Sequence, residues 1–147
     1  IGTRYEIAQS AACGADAVLL NVAALTDQAL AACMEESLDY DLDVLVEVHD
    51  ENELSRAVAL GASLVGINNR NLRTFETDLT TSEYLIPKVP PGLTIISESG
   101  MRDVDDIRRL VSAGAHGFLI GEAFMRAENP ALLINQLKAA GSRSAAL

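Results

Sequence analysis

The sequence has no tryptophan, only two cysteines and two histidines, and 11 cationic side chains against 21 acidic ones. Each shortage closes off a class of function. Two cysteines do not make a disulfide framework. Cys13 and Cys33 lie in Ala-rich helical stretches, where they are expected to act as packed thiols. No Cys or His recurs at metal-ligand spacing, so no metal site is expected. A formal net charge of -10 opposes nucleic acid, whose phosphates would be repelled. It leaves open a small anionic ligand held by a local cluster of donors. No apolar run approaches the length of a membrane span. The N-terminus shows no signal-peptide pattern. It also lacks an initiator methionine, so a targeting segment could precede it. What remains is 147 residues, 49% of them hydrophobic, without low-complexity tracts. That composition predicts a globular chain, read here as one domain over residues 1–147.

Short apolar runs alternate with helical patterns. The predicted strands are Ala17–Val22, Val44–Val48, Leu64–Asn68, Thr94–Glu98 and Gly117–Gly121. They are nearly continuous in apolar residues, as parallel strands covered by helices are. Thr3 and Glu6 form a capping box for a first helix running to about Cys13. Thr26 opens a second, with Leu30, Met34 and Leu38 on one face. Leu54, Ala57, Val58 and Gly61 mark a third. "TTSEYLI" is a weaker helix before the break at Pro87–Pro91. Asp103 caps the next, with Val104, Ile107 and Val111 inside, and Asn129-Pro130 starts the last. "GADAVLL", "GASLVGI" and "GAHGFLI" form a faint repeat. Its Gly14, Gly61 and Gly114 fit helix C-caps with positive φ. The repeat fits alternate strands of a (β/α) barrel, and equally a common helix-to-strand connector. Five units do not close an eight-stranded barrel. The choice is an open doubly wound sheet or the last five strands of a barrel.

In both architectures ligands bind at the carboxyl ends of the strands. The polar residues there are Glu47, Asn68, Arg70, Glu98 and Ser99, each costly to bury unpaired. The bland alternative is a ring of satisfied polar groups that holds loops in place. "ESG" ends the fourth strand at Gly100, and "LIGEAFM" ends the fifth at Gly121. Both precede helix starts, where bare backbone amides suit a phosphate.

Taken together, "VEVHDENEL", "GINNRNL", "ISESGM" and "FLIGEAFM", in this order, resemble the indole-3-glycerol phosphate synthase family. "GADAVLLNVAAL" is similar to that family's fourth-strand region, and the likeness runs to about Leu137. The resemblance implies a (β/α)8 barrel, here an incomplete one of strands four to eight. It implies a cytoplasmic carboxy-lyase of tryptophan biosynthesis that needs no cofactor or metal. That enzyme closes an indole ring on a carboxyphenylamino-deoxyribulose phosphate, losing carbon dioxide and water.

By resemblance, Glu47 would be a catalytic carboxylate in proton transfer, stabilising positive charge on the ring nitrogen. Asn68 would hydrogen-bond the substrate, and Arg70 would face the anthranilate carboxylate. Glu98 would contact sugar hydroxyls and assist dehydration, with Ser99 beside it. Backbone amides of Gly100, Gly121 and Glu122 would hold the phosphate. Leu19 and Asn21 would line the pocket. His49 and His116 are expected to be polar loop or packing residues, and the "MEESLDYDLD" run a solvated helix face.

Three features depart from the family pattern. The family's catalytic lysine belongs to a Lys-Asp-Phe motif that falls just before Ile1, so the chain alone is expected to be inactive. Glu122 stands where a small hydroxyl residue also occurs, and its carboxylate should turn from the phosphate. Asn21 interrupts an apolar strand. Open sheet edges would favour self-association or completion by an N-terminal segment. The rival readings are a non-catalytic phosphate-binding half-barrel, an assembly module, or another phosphate-binding barrel. Phosphoribosylanthranilate isomerase and tryptophan synthase α chain exemplify the last, and "VEVHDENEL" with "SESG" argues against both.

Overall fold

The computed structural model describes residues 1–142. Its elements alternate: α1 (Arg4–Ala12), β1 (Ala17–Asn21), α2 (Asp27–Asp39), β2 (Asp43–Val48) and α3 (Glu51–Ala59) come first. Then follow β3 (Leu64–Asn68), α4 (Thr80–Leu85), β4 (Thr94–Glu98), α5 (Val104–Ala113), β5 (Gly117–Leu119), α6 (Glu122–Arg126) and α7 (Pro130–Gly141). The five strands form one sheet in the order β1-β2-β3-β4-β5. β1 pairs in parallel with β2 (Asn21 beside Glu47), and β4 with β5 (Glu98 beside Leu119). Sequential order decides between the two architectures. A doubly wound sheet reverses its strand order at a switch point, and this one does not. It is an incomplete (β/α)8 barrel of five parallel strands.

Contacts group the chain into two compact units: residues 1–66 with 89–94, and residues 67–88 with 95–147. The first unit is built on Ile7, Leu20, Val22, Leu30, Val46, Val48, Leu54 and Val65, all nearly or fully buried. Val18 and Leu20 are buried while Leu19 between them is only half covered. That alternation is the two-residue period of a strand covered on one face. The second unit buries Ile67, Leu85, Ile95, Ile107, Leu110 and Leu137, with α5 packed on α7.

Local chemistry sets the helix ends. Thr3, Thr26, Asp50, Asp103 and Asn129 each accept a backbone N–H of the following first turn. Gly14, Gly61 and Gly114 all take positive φ, as their repeated placement predicted. The strand expectations hold to within two residues at each end.

Three packing expectations need correction. Leu38 is 78% exposed; α2 buries Leu30, Cys33 and Ser37 instead. Ser37 can be buried because its hydroxyl donates to the Cys33 carbonyl at 2.8 Å. Cys33 is a packed thiol whose pKa burial pushes up, but Cys13 is exposed at the end of α1. On α5 the fully buried partner of Ile107 is Leu110, while Val104 and Val111 are only partly covered.

Candidate active site

In the first unit, β2 ends by delivering Glu47 into a buried position, 7% exposed. Asn21, at the end of the neighbouring strand, donates its Nδ2–H to Glu47 Oε1 at 2.6 Å. Its own Oδ1 accepts the Ala23 N–H at 2.8 Å, starting a short 3-10 turn over Val22–Ala24. The polar interruption of β1 is thus explained: Asn21 is a hydrogen-bond partner of Glu47. His49 follows two residues later, with Nε2 3.4 Å from the same Glu47 oxygen. Its Nδ1 lies 3.0 Å from Glu53 Oε2, which also accepts the His49 backbone N–H at 2.8 Å.

The second unit holds the remaining candidates. Asn68 ends β3, 8% exposed, and its Oδ1 accepts the Arg70 N–H at 2.9 Å. Glu98 ends β4 and is 2% exposed. Ser99 follows with φ of 63°, a left-handed conformation unusual for a residue with a Cβ. Gly100 continues at φ 86°, and a Cβ there would meet Leu79 and Thr77 at 3.3 Å. Glycine is favoured at residue 100 by its positive φ, and a side chain there would also press on Leu79 and Thr77. Gly121 differs: its φ is -118° and a Cβ would meet nothing within 4 Å.

Arg70, Ser99, Gly100, Gly121 and Glu122 line one pocket of about 330 Å³, together with Leu119. It adjoins an open cleft of about 790 Å³ that also shares Arg70, Gly100 and Glu122 and adds Arg102 and Arg126. Arg70 donates to Glu122 at 2.5 Å, and Arg126 pairs with the other Glu122 oxygen at 3.0 Å. The Arg70 hydrogen bond holds the Glu122 carboxyl below the usual carboxylate range, with Arg126 adding to the effect. The Glu122 side chain is directed to the two arginines.

Two features of the site were not anticipated from sequence. The first is the segment after β3. Asn71 N–H donates to the Glu76 carbonyl at 2.8 Å and Arg70 bridges to Thr77, so residues 70–77 form a small antiparallel loop. The second is Asn69, 2% exposed. Its Nδ2 lies 2.9 Å from Ser97 Oγ and 3.0 Å from the carbonyls of Glu98 and Ser99. Its Oδ1 accepts the Ser82 N–H at 3.1 Å, and Ser82 and Ser97 hydroxyls meet at 2.7 Å. This buried cluster fixes the backbone on either side of Ser99. The adjacent "NN" pair was its one sequence signal. His116 has a structural place: its Nδ1 accepts the Ile95 N–H at 3.0 Å at the start of β4.

A sequence profile described as indole-3-glycerol phosphate synthase matches residues 1–137. The chain belongs to the indole-3-glycerol phosphate synthase family. Relatives of that name from Albidiferax ferrireducens and Koribacter versatilis are each 47% identical, over 133 and 132 residues. The one from Bordetella pertussis is 47% identical over 135 residues, 92% of this chain. The chain spans about half the length of these curated relatives, 50–52% of each. Among solved structures, a 3-hexulose-6-phosphate synthase from Salmonella typhimurium superposes with a TM-score of 0.82 at 15% identity. It covers 96% of this chain and 68% of that one. A second 3-hexulose-6-phosphate synthase gives 0.78 at 24% identity, covering 95% and 69%. At those identities the likeness speaks for the fold alone. Among its described residues no helix is long and apolar enough to cross a membrane, and no cluster of three metal-ligating side chains occurs.

Proposed function

We propose that this chain carries the later-strand half of the active site for indole-3-glycerol phosphate synthesis. The observation that carries the reading is the burial of Glu47, Asn68 and Glu98, one polar residue at or next to the end of each of β2, β3 and β4. Buried polar side chains are expensive unless a partner or a function retains them. In a family that closes and aromatises an indole ring, each has work to do. Glu47 stabilises positive charge developing on the ring nitrogen and takes part in proton transfer. Glu98 contacts sugar hydroxyls and assists loss of water. Asn68 fixes the substrate while its Oδ1 holds the Arg70 backbone. Arg70 receives the anthranilate carboxylate, which replaces Glu122 as the partner of the guanidinium.

The phosphate is held by backbone amides at Gly100, Gly121 and Glu122. No metal or cofactor enters the scheme. The general acid of the scheme comes from earlier strands of the family's barrel. Loss of a general acid typically lowers rate by about 10²–10⁴-fold, so these five strands without it are expected to be slower by at least that factor. A cytoplasmic location goes with this biosynthetic role.

The test is Gly121→Val. Because a Cβ at residue 121 meets nothing within 4 Å and φ is -118°, the fold accepts the change. The branched side chain occupies the anion's approach. Inorganic phosphate binding, followed by NMR titration, is expected to disappear in the variant while the spectrum stays native. Unchanged phosphate affinity overturns the assignment.

A further inference from the structure

His49 Nε2 is buried and makes no hydrogen bond, and Glu47 Oε1 lies 3.4 Å from it. Its other ring nitrogen and its backbone N–H are both committed to Glu53 Oε2, at 3.0 and 2.8 Å. Glu53 is itself anchored, since its N–H donates to the helix cap Asp50 at 2.9 Å. A carboxylate accepts only, so the Nδ1 contact requires the ring proton on Nδ1. Neutral His49 then leaves Nε2 as an acceptor, 3.4 Å from a carboxylate oxygen that is also an acceptor. This arrangement waits for a proton.

We propose that His49, clamped by Glu53, is a positioning residue for Glu47 that accepts the proton Glu47 picks up. The proposal rests on the catalytic reading of Glu47 given above. When Glu47 is protonated on Oε1, that oxygen can accept from Asn21 and donate to His49 Nε2 at once. In the transfer the Oε1–H bond breaks and the Nε2–H bond forms. The bonding electrons stay on the carboxylate, and the imidazolium lies between Glu47 and Glu53. The charged groups around the ring are those two carboxylates, with Asp50 at the helix cap. Arg56, the cation of α3, is turned to Asp27 at 2.7 Å and to the carbonyls of Val22 and Leu25. From the imidazolium, the Nδ1–H proton passes to Glu53 Oε2, its partner at 3.0 Å, the Nδ1–H bond breaking as the Oε2–H bond forms. Glu47 is thereby returned to its anionic form for the next proton-transfer step.

The experiment reads the ring directly, by nitrogen-15 NMR of the imidazole in the intact chain. Wild type is expected to show neutral His49 as the Nδ1–H tautomer. Glu53→Gln is expected to move the proton to Nε2, exchanging the two nitrogen resonances. Glu47→Gln, which offers its amide N–H to Nε2, is expected to shift the Nε2 resonance and keep the tautomer. The carboxyl carbon-13 signal of Glu47 is expected to differ between wild type and His49→Asn, as the ring beside it is removed. An Nε2–H tautomer in wild type, or a Glu47 carboxyl blind to His49, overturns the proposal. None of these signals depends on turnover. A failed assay of indole-3-glycerol phosphate formation alongside them would instead count against the catalytic reading.

Discussion

Replacing Asn69 by alanine is the sharpest probe of how the site is held. The side chain is 2% exposed and satisfies groups from two segments, the end of β4 and the start of α4. Two of these groups have fallback partners: Ser97 Oγ keeps Ser82 Oγ, and the Glu98 carbonyl keeps the Asn69 N–H at 2.9 Å. The Ser82 N–H and the Ser99 carbonyl lose the amide, and Ser82 is fully buried. An orphaned buried polar group costs about 1–3 kcal/mol, a cost that falls on the Ser82 N–H, whereas the part-buried Ser99 carbonyl can turn to water. Native stability is about 5–15 kcal/mol, so the loss is a large fraction of the whole. The same substitution releases Ser99 from a left-handed conformation that the cluster enforces. Urea unfolding is therefore expected to show a midpoint shift equivalent to at least about 1 kcal/mol. The amide signals of Ser99 and Gly100 are expected to move furthest. Asn69→Asp keeps the volume and the Oδ1 acceptor but puts a carboxylate against two carbonyls, and is expected to be as damaging. A shift below 1 kcal/mol in both variants would show that the cluster does not hold the loop.

Two further outcomes follow from the charges and the edges. Backbone and side-chain hydrogen bonds from Gly2 and Thr3 lower the pKa of Glu6, those from Thr80 that of Asp78, and the Arg109 ion pair that of Glu83. With Glu122, these groups have folded values below their ordinary 4.5 for Glu and 3.8 for Asp. Their contribution is present above those ordinary values and is lost as pH falls through the lowered ones. Thermal unfolding is thus expected to drop as pH falls below 4.5 (a rise there would reverse the sign). The chain is also expected to self-associate, because Leu119 is 49% exposed on the terminal strand β5 and open strands template pairing. Sedimentation at micromolar concentration checks this, and a compact monomer across the range would refute it.

The sequence made the strands legible because parallel strands under helices read as continuous apolar runs, and Leu64–Asn68 and Thr94–Glu98 are placed to the residue. The positive-φ glycines were legible for the same kind of reason, a single backbone demand with one cheap solution. Side-chain partnerships were not. Asn21 looked like a blemish in a strand until its register with Glu47 was known. His49 read as a loop residue because spacing does not show that Glu53 turns back from α3 to grip it. Asn69 was overshadowed by Asn68, since strand alternation tells which face each takes but not what lies beneath. Leu38 misled because helical periodicity allows the apolar stripe to slip by one position, and packing chose Ser37 with its hydroxyl satisfied inside the helix.

The central claim is that Glu47 and Glu98 belong to an indole-3-glycerol phosphate synthase active site that this chain carries in part. The most direct measurement supplies the first three barrel strands, as a separate N-terminal segment from a relative. Indole-3-glycerol phosphate formation is then followed from the carboxyphenylamino-deoxyribulose phosphate. Neither piece alone is expected to turn over. The associated mixture is expected to do so, with activity falling by about 10²-fold or more in Glu47→Gln and in Glu98→Gln. A mixture that associates yet stays inactive would contradict the account, as would turnover that survives either substitution.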